Sequence, residues 1–199
     1  MAWFRRKAPA PTVPTEPTPE IHPSPALGLV FAELENAERL SILDLGPAMG
    51  ENLDYFSQRF PCRLQVADLY RSLHGEDPVG QFRRLIDLQE PPDLVLAWDL
   101  PSYLPRETTR SLFRHLAEQS AAGTRVFTMI ASHAQMPLEP GSFVLRGEAD
   151  LEYRYPSTKT RPTQRLPPAE LANLAPQYRV DRSFLLRHGF QEYVLVQGG

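Results

Sequence analysis

Residues 41–50, Ser41-Ile-Leu-Asp-Leu-Gly-Pro-Ala-Met-Gly50, set a short apolar run with one embedded carboxylate directly against a glycine turn. Ser41 to Leu45 has the make-up of a parallel strand buried on both faces, Gly46 ends it, and Glu51 to Arg59 reads as a helix. A strand, a glycine turn and a helix in succession gather free backbone N–H groups and a positive dipole end at one point, which suits a carboxylate or a phosphate. Gly46 and Gly50 let a ligand approach the backbone closely because they carry no Cβ. A second strand, Cys62 to Ala67, ends in Asp68, 22 residues after Gly46. An acid at about this spacing sits beside the first turn and can accept both hydroxyls of a ribose. The ligand these residues imply is a nucleoside with an anionic or zwitterionic arm.

The remaining pattern extends the alternation of strand and helix. Leu27, Val30, Phe31 and Leu34 mark one face of a helix, and Asp93 to Trp98 is a buried strand. Arg106 to Ala121 is a helix stopped by Gly123, and Thr124 to Ile130 is the next strand. Leu69 to Gln89 is less legible: Pro78 and Gly80 break it, and Phe82 to Leu88 suits either a short helix or a stunted strand. Phe184 to Arg187 and Phe190 to Val196 form a hairpin joined at His188-Gly189, and Ser142 to Arg146 with Asp150 to Tyr155 suits another. These elements predict one α/β domain over 26–199. It has a mostly parallel sheet of six or seven strands, helices on both faces and a terminal antiparallel hairpin. Residues 1–25 form a proline-rich tail, with seven prolines from Pro9 to Pro25, and are expected to be disordered and to stay out of helix and sheet. Pro11, Pro14 and Pro17 give P-x-x-P spacings, a possible protein contact or simply a solvated tail.

The glycine spacing selects the nucleoside. A dinucleotide fold uses G-x-G-x-x-G, whereas this turn is G-x-x-x-G with Pro47 after the first glycine and Asp44 two residues before it. Leu43-Asp-Leu-Gly-Pro-Ala-Met-Gly50 resembles motif I of the class I S-adenosylmethionine-dependent methyltransferases, whose Rossmann-like sheet also closes on an antiparallel hairpin. The resemblance spans Leu27 to Gln197. It implies S-adenosylmethionine as cofactor, held by backbone around Gly46 and Gly50, with Asp68 on the ribose and Asp44 near the methionyl ammonium. The acid that follows the family's third strand would be Asp87, on the adenine side, and Trp98 could wall the purine or belong to the core.

Around the transferred methyl, the resemblance points to Trp98-Asp-Leu-Pro-Ser-Tyr103. Asp99 could accept a hydrogen bond from the acceptor or cap the following turn, and Tyr103 could wall the pocket. Leu100 and Ser102 break the Asn/Asp-Pro-Pro-Tyr motif of amino-methylating members, so nitrogen methylation has no particular support. His133, after the fifth strand, is either a base or a bystander. Tyr153, Arg154, Tyr155, Lys159, Arg161 and Arg165 make the one basic and aromatic cluster. Gly141 to Arg165 is expected to be a mobile lid over the crevice that sets acceptor choice, hinged at Gly141 and Gly147.

Composition narrows the remaining classes. A net charge of −3 makes no electrostatic case for nucleic acid, and nothing has metal-ligand spacing. Cys62 is the single cysteine, which excludes a disulfide framework. No run is long enough to span a membrane, Met1 to Lys7 has no signal-like apolar region, and Trp3 and Phe4 beside three basic residues make only a weak surface anchor. The sequence thus suggests a cytoplasmic methyltransferase acting on an unidentified, small-molecule acceptor. The alternative is a non-catalytic relative of the same fold acting as an interaction or regulatory module.

Overall fold

A computed structural model of the chain describes residues 20–72, 75 and 77–198; the expectations for Trp3, Phe4 and the P-x-x-P spacings fall outside them. In chain order the elements are β1 (Glu20–Pro23), α1 (Pro25–Leu34), β2 (Leu40–Asp44), α2 (Gly50–Arg59), β3 (Cys62–Val66), α3 (Pro78–Leu85), β4 (Leu94–Trp98) and α4 (Arg106–Glu118). They continue as β5 (Arg125–Ala131), β6 (Gln135–Pro137), β7 (Ser142–Arg146), β8 (Asp150–Arg154), β9 (Thr160–Pro162), α5 (Pro168–Leu174), β10 (Tyr178–Leu185) and β11 (Phe190–Gln197).

Six strands form the main sheet in the order β10-β11-β5-β4-β2-β3. β2 runs parallel to β3 and to β4, and β4 parallel to β5. β11 is antiparallel to both β5 and β10, the hairpin that the sequence indicates. Every residue of β4 is buried, as its unbroken Leu-Val-Leu-Ala-Trp run demands of a central strand. The face of α1 formed by Leu27, Val30, Phe31 and Leu34 is buried against β5, β10 and β11. Burying each such side chain contributes about 1.5–3 kcal/mol.

The sheet stops at β3. The segment that offered a third strand forms α3 instead, because Pro78 suits a first helical turn and the Asp77 carboxylate accepts the Gly80 N–H (2.8 Å). The adjacent Pro91 and Pro92 carry no N–H for a ladder.

Two departures lie above the sheet's carboxyl ends. Glu20–Pro23, placed by the sequence in the tail, is a strand: β1 pairs with β8, and β8 with β7, in a second sheet of three. Proline is tolerated there because β1 is an edge strand and Pro23 its last residue. The segment expected as a mobile lid is equally built in. Phe143, Val144, Leu145, Leu151 and Tyr153 are core residues, and β9 pairs with β6. Asn52 of α2 fastens this sheet from below, donating through Nδ2 to the Phe143 carbonyl and accepting the Leu145 N–H at Oδ1, both at 2.9 Å. Gly141 is a close-packing site and not a hinge, since a Cβ there would lie 2.7 Å from the Tyr155 ring.

The two ends of the domain meet at Glu192. This buried β11 carboxylate accepts the Ser24 hydroxyl (2.6 Å) and the Ala26 N–H (3.0 Å), so it helps cap α1 from the distant end of the sequence. Glu192→Ala leaves two buried donors without an acceptor and is expected to lower unfolding free energy by about 2–4 kcal/mol. Ser24→Ala should cost about 1 kcal/mol. Urea denaturation of both variants measures this, and a loss below about 0.5 kcal/mol for Glu192→Ala would show that α1 is anchored by its apolar face alone.

Candidate functional site

β2 delivers Asp44 to the carboxyl end of the sheet, where its carboxylate is buried. Oδ1 accepts two hydrogen bonds, from the Gly46 N–H at 2.8 Å and from the Trp98 indole Nε1–H at 2.6 Å. Burial raises the carboxyl to about 6 although both bonds favour the charged form. The turn from Gly46 to Met49 then enters α2, whose first residues have no side-chain cap. A mostly apolar hollow of about 250 Å³ opens beside it, lined by Asp44, Ala48, Met49, Asn52, Leu64 and Val66 among others.

Trp98 and Asp68 are the only non-glycine residues with positive φ among those described, at +47° and +41°. Such conformations cost on the order of 1–3 kcal/mol and persist where the surroundings over-determine them. At Trp98 the pairing of β4 with β5 slips between Leu96 and Trp98, and the Thr128 hydroxyl donates to the Trp98 carbonyl (2.8 Å). This irregularity re-aims the side chain, which is otherwise free to alternate off the strand. The indole lands on the glycine turn, stacked at 5.4 Å on Phe143 of β7.

Asp68 lies just past β3 and is joined to the turn through the backbone, because Ala67 N–H donates to Asp44 O and Leu69 N–H to Leu45 O. Its Oδ2 pairs with Arg71 (2.8 Å), while Oδ1 is buried and has no partner among the described residues. That orphaned acceptor sits where the sequence placed a ribose-binding acid.

Of the other residues named from the sequence, Gly50 opens α2 with empty space where a Cβ would be. Asp99 is fully buried and accepts a hydrogen bond from the Tyr70 hydroxyl. Burial pushes its carboxyl up to about 7 against that bond. It is therefore neither an exposed acceptor-binding group nor a side-chain cap of the short turn at Leu100–Ser102. Tyr103 is held by the carbonyls of Pro137 (3.1 Å) and Glu139 (3.0 Å), with the Arg161 guanidinium over its ring, so it ties down the loop before β7. Asp87 is a correction. It is exposed between Ile86, whose carbonyl meets His115, and Leu88, whose N–H donates to Gln119 at the carboxyl end of α4. Those contacts put it where β4 starts, opposite the crevice, because no third strand carries it up. His133 is exposed over Gly189 in a separate hollow with Glu20, Tyr153, Tyr155 and His188. In the basic cluster, Arg154 is paired with Glu51 (2.9 Å) and Glu152 (2.5 Å), leaving Lys159, Arg161 and Arg165 without ion pairs among the described residues.

Three contributors escaped the sequence reading. Tyr70 lies in the segment without periodicity, Phe143 looked like an ordinary strand residue, and Asn52 is one polar residue on a polar helix. Only Asn52 left a trace, as an amide on the buried side of α2.

The mostly parallel six-stranded sheet with its closing antiparallel hairpin, although without a third strand beyond β3, has the fold of solved S-adenosylmethionine-dependent methyltransferases. An S-adenosylmethionine-dependent methyltransferase from Clostridium acetobutylicum matches with a TM-score of 0.52 at 11% identity, over 87% of this chain and 89% of that one. The 1,6-didemethyltoxoflavin-N1-methyltransferase of Burkholderia thailandensis, solved with its substrate and S-adenosylhomocysteine, gives 0.52 at 15% identity, over 88% and 77%. The glycopeptide N-methyltransferase MtfA, solved with S-adenosylmethionine, gives 0.51 at 11% over 87% of each chain. At these identities the likeness establishes the fold. The sequence matches no protein-family model and no curated protein.

The buried acids generate a prediction. Folded protein holds the Asp99 proton up to about pH 7, whereas an unfolded chain releases it near 3.8. Rising pH therefore erodes stability through that window and stops doing so above it. Between pH 4.5 and 8, wild type should lose on the order of 1–4 kcal/mol relative to Asp99→Asn in urea denaturation. Parallel pH profiles would mean that Asp99 is ionised in the fold.

Proposed function

We propose that the chain binds S-adenosylmethionine at the glycine turn and methylates a small-molecule acceptor. The single observation that carries this is the Oδ1 of Asp68, buried on strained backbone beside the turn and without a partner among the described residues. A ribose hydroxyl supplies the donor it lacks. Gly46 and Gly50 would contribute backbone, and Asp44 would face the ammonium group. When bound, the cofactor supplies an electrophilic methyl on a sulfonium centre.

The protein's part is then chiefly positioning and exclusion of water. Asp99 is sealed beneath Tyr70, so an acceptor proton leaves to another group or to solvent. Aromatic side chains Phe143, Tyr153 and Tyr155 pack edge to face above the sheet's carboxyl end and form a dry wall there. With a net charge of −3, a nucleic-acid acceptor has no electrostatic support. Among the described residues no helix is long and apolar enough to cross a membrane.

The nucleoside end of the cofactor fits these residues; the amino-acid end fits only when the Trp98 ring is off the turn. A second reading follows from that ring and from the hollow beside it, which at about 250 Å³ is smaller than the ~300–1,000 Å³ of usual ligand pockets. Under this reading the chain is a non-catalytic relative that keeps the fold for interaction or regulation.

Calorimetric titration with S-adenosylhomocysteine tests cofactor binding. Wild type should bind, and Asp68→Ala should lose about 1.5–3 kcal/mol, tenfold or more in affinity. Equal binding by both, or none by wild type, defeats the proposal. Incubation with methyl-labelled cofactor and a small-molecule extract separates the two readings, since a non-catalytic relative labels nothing.

A further inference from the structure

We infer that Trp98 is the specificity-determining residue of the crevice: its indole stands in for the amino-acid arm of an adenosyl ligand, and only ligands able to displace it gain the contacts of the turn. The inference rests on the cofactor reading above and deepens it.

Three independent observations support it. The first is steric: a Cβ built on Gly46 would lie 2.7 Å from Trp98 Cδ1 and 2.8 Å from Nε1, so the ring leaves no room for a ligand atom against that glycine. In this arrangement Gly46 must be glycine for the sake of the tryptophan. The second is chemical, because the indole N–H gives Asp44 the donor that an ammonium group would give. The third is conformational. Trp98 reaches the turn only through a left-handed backbone and a broken β4–β5 register, so the geometry is imposed locally and is not the default course of the strand.

A ligand lacking the arm does not compete with the indole. Adenosine needs the Asp68 side of the crevice alone, whereas S-adenosylhomocysteine must also expel the ring and pull it from its stack on Phe143. The difference between these two probes therefore isolates Trp98 from the rest of the site.

The experiment is calorimetry of wild type and Trp98→Leu with both compounds. The variant should bind S-adenosylhomocysteine at least about tenfold more tightly and adenosine within about twofold of wild type. Equal S-adenosylhomocysteine affinity in both proteins overturns the role of Trp98 while leaving the cofactor reading intact. No binding of either compound to either protein overturns the cofactor reading, and this inference with it. If Trp98→Leu does not fold, the decision passes to the native residue. The chain has two tryptophans, so a Trp3→Phe background leaves one indole N–H signal in a nitrogen-15 NMR spectrum. That proton should exchange slowly without ligand and lose its protection when S-adenosylhomocysteine saturates the protein; unchanged protection at saturation overturns the proposal.

Discussion

A carboxylate taken out of water must be given donors, and Asp44 is given two by its own chain, one from the turn that follows it and one from the strand beside it. This choice propagates. For Trp98 to supply its indole, β4 must slip against β5 and adopt a left-handed residue. For the ring to stay, Phe143 must stack behind it, which calls for β7 to be fastened to α2 through Asn52. The second sheet, the twist at the end of β4 and the glycine at position 46 are in this sense consequences of one buried acid.

Much of this was legible beforehand, for identifiable reasons. β2, β4 and β5 are central strands whose apolar runs leave few alternatives, and the 3.6-residue spacing of α1 marks the face it buries. The glycine turn and Asp68 were readable because their spacing reflects the rise of a strand, a turn and a helix. What escaped depends on partners far away in sequence. Glu20–Pro23 looks like tail until β8 offers it a ladder, and Asp87 looks like a third-strand acid until two prolines deny that strand. The occupant of the turn was the least readable of all. Nothing in Leu-Val-Leu-Ala-Trp says that the strand will slip by a residue and aim its tryptophan at Asp44.

The chemistry of the crevice follows from burial more than from charge. Asp44 and Asp99 are both pushed toward the neutral form by desolvation, and each accepts from one aromatic donor, Trp98 or Tyr70, to which Asp44 adds the Gly46 N–H. Asp68 differs in its partner, an exposed arginine on Oδ2, while its Oδ1, like Asp99 Oδ2, is buried without a partner among the described residues.

The cap on α1 has a consequence in time. Ser24 and Glu192 are separated by 168 residues, so the acceptor for the Ser24 hydroxyl and the Ala26 N–H does not exist until almost all of the described chain has been made. Until then α1 is a 10-residue helix capped only by Ser24, whose hydroxyl accepts the Leu27 N–H, with an apolar face waiting for β10 and β11. Isolated helices of that length are marginal in water. Among the described residues, then, the earliest helix in the chain receives its last hydrogen bonds only when the latest strand, β11, is in place.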